Sequence, residues 1–69
     1  MMQVTVNGDG RDLDEGTTVQ ELVRSLGGRG DGRGVAVALG GEVVPRSDWA
    51  ATVLPPGSHI EVLTAVQGG

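Results

Sequence analysis

The sequence predicts one α+β domain in which a single amphipathic helix packs across one face of a mixed β-sheet. Three observations predict it. The first residues alternate apolar and polar with a period of two; an apolar stripe at i, i+3, i+4 and i+7 follows; and further alternating runs come after it, punctuated by glycine and proline turns. The elements run ββαββ, with a short turn before the final strand.

Met2, Val4 and Val6 alternate with Gln3, Thr5 and Asn7, which gives a strand with one buried face. Asn7-Gly8-Asp9-Gly10 tolerates positive φ, and Arg11 to Asp14 is expected to return antiparallel before Glu15-Gly16 breaks the run. Thr18-Val19-Gln20-Glu21 has capping-box spacing, in which hydroxyl and carboxylate each satisfy an orphan backbone donor at a helix start. Val19, Leu22, Val23 and Leu26 form the buried stripe, and Gly27 is the expected stop. Residues 27–34 read Gly-Gly-Arg-Gly-Asp-Gly-Arg-Gly, too costly in backbone entropy for regular structure, and predict a flexible loop within the domain. Val35, Val37 and Leu39 then alternate with Ala36 and Ala38, Gly40-Gly41 is a two-residue hairpin loop, and Glu42-Val43-Val44 pairs back. After Pro45, residues Arg46 to Ala51 suit one helical turn with Ser47 near its start, and Pro55-Pro56-Gly57 turns into a last strand from His59 to Val66. The β-grasp is the compact arrangement for this order. Residues 1–69 make one domain whose last strand runs out into a flexible tail over 66–69.

A chain of 69 residues buries only about 60% of the surface its unfolded form exposes, so one modest core is all it can build. With no Cys and a single His59, neither a disulfide framework nor a thiolate metal site supplements that core. Nine acidic against five basic residues give a net charge of −4, which argues against a nucleic-acid partner, because phosphate-tracking surfaces need clustered Lys and Arg. All five basic residues are Arg, so there is no Walker-type lysine, Schiff-base lysine or isopeptide acceptor. No apolar run approaches the roughly 20 residues of a membrane helix, and no signal-peptide pattern opens the chain. Together with the absence of cysteine this leads to the expectation of a cytoplasmic protein without membrane contact.

The segment from Ala38-Leu39-Gly40-Gly41-Glu42-Val43-Val44-Pro45-Arg46-Ser47-Asp48-Trp49 to Ala50 resembles the corresponding hairpin and Val-Pro-Arg-x-x-Trp stretch of the ThiS family of ubiquitin-like sulfur carriers. Met2 to Gly8, the helix entry Gly16-Thr17-Thr18-Val19 and the ending from Gly57 to Gly68-Gly69 are similar in spacing, so the resemblance covers nearly the whole chain. The loop at 27–34 and Gln67 before the two glycines depart from the pattern. The resemblance implies a carrier in the thiazole branch of thiamine synthesis, with no catalysis of its own and no permanently bound cofactor. A ThiF-like enzyme would use ATP and magnesium to adenylate the Gly69 carboxylate, sulfur from a persulfide donor would replace AMP to leave a thiocarboxylate, and a ThiG-like thiazole synthase would consume it. Three other readings share part of the pattern: the small subunit of molybdopterin synthase, a ubiquitin-type modifier, and a non-covalent β-grasp interaction module.

The residues agree with carrier chemistry. A carboxylate resists nucleophilic attack until its oxygen becomes a good leaving group, and Gly68 and Gly69, lacking Cβ atoms, suit a narrow channel, with Gly68 and Gln67 as the expected inserted tail behind Gly69. The five residues from Ala65 to Gly69 reach roughly 16–18 Å when extended. An isolated terminal Gly-Gly would more often be a frayed end, and it is the whole-chain resemblance that reverses this. If Ile60 and Val62 face the helix, period two places Leu63 and Ala65 on the uncovered face, where with Ala36, Ala38 and Val66 they form a candidate partner interface, the alternative being a singly exposed Leu63 of no consequence. Arg29-Gly30-Asp31 is read as a chance tripeptide. Trp49 is read as an anchor holding the short turn against the second hairpin. His59 is read as a solvated strand-start residue, and Arg46 and Asp48 as surface charges or a local ion pair, with partner docking as the alternative.

Overall fold

Two tight turns of the same backbone geometry organise the sheet. The computed structural model describes residues 1–26 and 34–64. Strands β1 (Met2–Val6) and β2 (Asp9–Leu13) pair antiparallel with Val6 opposite Asp9 and Met2 opposite Leu13. Their loop is Asn7-Gly8 alone, with φ of 52° and 86°. Positive φ at both central residues matches the twist of the flanking strands, so this two-residue loop is favoured over a longer one. The return strand therefore begins at Asp9 rather than Arg11 and ends at Leu13 rather than Asp14: Asp9 and Gly10 tolerate turns, but here they pair with Val6 and Thr5.

The second hairpin repeats the device. Strands β3 (Val35–Leu39) and β4 (Glu42–Val44) flank Gly40-Gly41, with φ of 59° and 88°. Strand β5 (His59–Thr64) pairs antiparallel with β3, from Leu39 opposite Ile60 to Val35 opposite Thr64. It pairs parallel with β1 through Thr5 opposite His59 and Val6 opposite Ile60. The sheet order β2-β1-β5-β3-β4 puts the last strand at the centre of a mixed five-stranded sheet.

Helix α1 (Val19–Ser25) opens on the expected capping box: Glu21 N donates to Thr18 Oγ1 at 3.2 Å, and Thr18 N donates to Glu21 Oε1 at 3.0 Å. Val19, Leu22 and Val23 are buried, with Leu26 half-buried at the C-cap. Gly27, expected as the stop, and residues 28–33 of the expected loop lie outside the described residues. Seven residues are too few for a stable isolated helix, so α1 is held by what it packs against. Its apolar face closes over Met2, Val4 and Val6 of β1, Val37 of β3 and Ile60 of β5, with Trp49 and Leu54 completing the buried cluster. Val19 N donates to Thr52 O and Leu54 N to Thr17 O, both at 2.9 Å, fastening the helix entry to the chain that leaves the short helical segment.

That segment, Arg46–Ala51, is a 3₁₀ helix led in by Pro45 with no side-chain cap, so the hydroxyl of Ser47 does not serve as one. The turn at 55–58 closes with Ser58 N donating to Pro55 O, with Gly57 at φ 77°. Among the described residues no helix is long and apolar enough to cross a membrane.

Candidate functional site

Strand β5 leads toward the C-terminal glycines, so its faces and edges define the site. Ile60 is buried and Val62 half-buried, while His59, Glu61 and Leu63 point to the other side and are exposed. The period-two reading of this strand holds: Leu63 is 67% exposed despite being apolar. Register sets its neighbours. Ala36 lies directly opposite Leu63, and Ala38 opposite Glu61. Residues paired across neighbouring strands share a face, so Leu63, Ala36 and Ala38 stand on the face away from α1. Gly34, Val35 and Thr64 join Ala36 and Leu63 around a shallow groove.

Val43 extends this face and was missed in the sequence. Either valine of Glu42-Val43-Val44 can face the core when only three residues are available, and the pattern alone does not choose. The register does: Val44 pairs with Val37, a core residue, which sends Val43 outward opposite Ala38, where it is 75% exposed. Ala65, Val66, Gln67, Gly68 and Gly69 lie outside the described residues.

Both edges of β5 are held up to Val62. On the β1 side Thr5 N donates to Ser58 O and Asn7 N to Ile60 O, each at 2.9 Å. Beyond them the Asn7 side chain takes over: Nδ2 donates to Val62 O at 3.1 Å, and Val62 N donates to Oδ1 at 2.8 Å. Sequence reading placed Asn7 in the polar alternation of the first strand and in its turn, and an interaction across 55 positions leaves no periodic signal. On the other side Gly40 N donates to His59 O at 2.9 Å, and β3 pairs as far as Thr64.

The remaining singled-out residues take structural places. Trp49 is buried, and its Nε1 donates to Val44 O at 2.9 Å, anchoring the 3₁₀ segment to the second hairpin as expected. His59 is exposed at the start of β5, and Arg46 and Asp48 are exposed on the 3₁₀ segment. Among the described residues, no three His, Asp or Glu side chains stand together as a metal site would require.

A helix laid over a mixed five-stranded sheet, with the central strand heading for a Gly-Gly end, is the geometry against which comparison is informative. Residues 4–69 match the model of the ThiS family. The chain belongs to the ThiS family. It is 32% identical over 68 residues to the sulfur carrier protein ThiS of Escherichia coli, covering 99% of this chain and 100% of that one. It is 34% identical over 68 residues to a thiazole synthase of Paramagnetospirillum magneticum, where the match takes in 99% of this chain but only 20% of that much longer protein. The crystal structure of ThiS from Geobacter metallireducens superposes with a TM-score of 0.79 at 36% identity, covering 99% of this chain and 100% of that one. The solution structure of the thiamine biosynthesis protein from the same organism gives 0.80 at 36% identity, with 88% of that chain covered. The fold of this ThiS-family chain is the ubiquitin-like β-grasp expected from its element order.

Proposed function

We propose that the Gly69 carboxylate of this ThiS-family sulfur carrier of thiamine biosynthesis is the atom group that carries the sulfur. A ThiF-like enzyme, with ATP and magnesium, converts the carboxylate to an acyl adenylate and releases pyrophosphate. A persulfide sulfur then attacks the acyl carbon, AMP leaves, and cleavage of the S–S bond by a thiol leaves the Gly69 thiocarboxylate. Thiazole synthase takes the sulfur, and the restored carboxylate returns for another cycle. The chain acts as co-substrate and keeps no cofactor of its own; its setting is the cytoplasm.

The observation that carries this reading is the family match over residues 4–69, which takes in Gly68 and Gly69, beside a match that leaves none of the Escherichia coli carrier uncovered. The stretch of a thiazole synthase that is 34% identical to this chain supports the pairing with that enzyme. Chemistry supports the terminus as the reacting group: a main-chain carboxylate at a chain end can be delivered into another protein's nucleotide site, and glycine imposes the least steric demand there. Gly68 and Gln67 are assigned to the inserted tail. Leu63, Ala36 and Ala38, with Ala65 and Val66 beyond them, are assigned to docking.

The test is ATP–pyrophosphate exchange by a ThiF-like enzyme. Exchange should depend on this chain and disappear when the Gly69 carboxylate is blocked by a fused peptide. Exchange that proceeds equally well without the chain would exclude the reading.

A further inference from the structure

We propose that Asn7 is a positioning residue for the loading of Gly69, holding the C-terminal strand by its backbone at Val62; the proposal rests on the carrier reading above. The ladder between β1 and β5 is only two residue pairs long. At Asn7 the backbone of β1 swings into its hairpin, whereas β5 continues to Thr64. The next rung on that edge belongs to Val62, whose N–H and C=O would then face no strand. A carboxamide carries one acceptor and one donor side by side, as a peptide group does. The Asn7 side chain uses both on Val62, at 2.8 and 3.1 Å, and so adds a rung after the strand itself has ended.

Turn geometry alone does not call for asparagine here. The second hairpin makes the same two-residue loop with Gly40-Gly41, whose φ values of 59° and 88° lie within a few degrees of the 52° and 86° of Asn7-Gly8. Glycine therefore serves that turn position, and asparagine is the other residue that enters the left-handed region at low cost. What asparagine adds is the grip on Val62.

The grip is placed where it bears on the reacting group. Val62 lies on β5, which ends at Thr64, five residues before Gly69 in the sequence. Both bonds are exposed to solvent, so each contributes modestly to global stability. Their effect is local: pinning β5 on both edges fixes the root from which the tail leaves, and narrows the directions its carboxylate must lose on entering a partner's nucleotide site.

The test compares the wild-type chain with Asn7→Gly, Asn7→Asp and Thr18→Ala. Asn7→Gly keeps the turn and deletes the grip. Asn7→Asp keeps the acceptor for Val62 N–H but sets an oxygen against Val62 C=O. Thr18→Ala removes a helix cap and serves as a destabilised control. Amide exchange at Val62 is read by NMR, and Gly69 loading by a ThiF-like enzyme with ATP and magnesium is read against carrier concentration, well below every melting temperature. Asn7→Gly should speed Val62 exchange and lower kcat/KM for loading, each by about fivefold, the size expected for losing one or two ordinary hydrogen bonds. Asn7→Asp should fall in the same direction, and Thr18→Ala should stay within about twofold of wild type. Loading of Asn7→Gly at the wild-type rate, or an equal loss in Thr18→Ala, overturns the proposal while leaving the carrier reading intact. A wild-type chain that is not loaded at all overturns both.

Discussion

Trp49 is the only aromatic residue in the chain, and it is buried to 4% exposure with its indole N–H committed to Val44 O. At roughly 0.05–0.15 kcal/mol per residue, a domain of this length holds about 3–10 kcal/mol. Removing a buried tryptophan costs about 3–5 kcal/mol, so Trp49→Ala should lose much or all of the cooperative urea transition followed by far-UV circular dichroism. A wild-type midpoint in that variant would show that the 3₁₀ segment is not fastened by this side chain. Leu63 is the opposite case. It is large, apolar and 67% exposed beside Ala36, so Leu63→Asp should change stability by no more than about 0.5 kcal/mol. It should weaken binding to the activating enzyme or to thiazole synthase by about tenfold or more, as read by calorimetry. Unchanged affinity for both would remove Leu63 from the docking face, and unfolding would contradict its placement away from the core.

At the scale of elements, the helix shows how much depends on its first turn. Thr18 and Glu21 exchange hydrogen bonds across the N-terminus of a helix too short to persist alone. Thr18→Ala should cost about 1 kcal/mol in chemical denaturation, and a loss below about 0.3 kcal/mol would mean that packing alone fixes the helix start. This cap, the buried stripe Val19-Leu22-Val23 and the Gly40-Gly41 turn were all legible because each is written in adjacent residues with a fixed spacing. The first hairpin was legible as a turn but not in its limits, since four successive residues tolerate turn conformations and only pairing decides which two use them. Leu54 was not legible as core. It follows no alternating run and is buried because its backbone bonds Thr17 across the helix entry. Val43 and Asn7 escaped for the same reason: register in one case, and a bond spanning 55 positions in the other, are properties of the assembled sheet.

At the scale of the whole molecule, the central place of β5 joins fold to function. That strand is paired on both sides, parallel to β1 and antiparallel to β3, and in the sequence Gly68-Gly69 follows it. Gly68 lies beyond the described core, so Gly68→Val should leave the melting temperature nearly unchanged, because a terminus outside the core contributes little to global stability. It should still lower thiocarboxylate formation sharply, since a branched side chain displaces the neighbouring carboxylate, and a misplacement of about 1 Å can cost on the order of a hundredfold in rate. An early melt would make the tail a structural element.

The central claim is that sulfur is carried on the Gly69 carboxylate. Intact-protein mass spectrometry with fragmentation, on the chain incubated with a ThiF-like enzyme, ATP, magnesium and a persulfide donor, tests it most directly. The account predicts a species in which one oxygen has been replaced by sulfur, with the change confined to the fragment ending in Gly69. An unmodified mass under conditions that load a known ThiS carrier, or a modification located elsewhere in the chain, would contradict it.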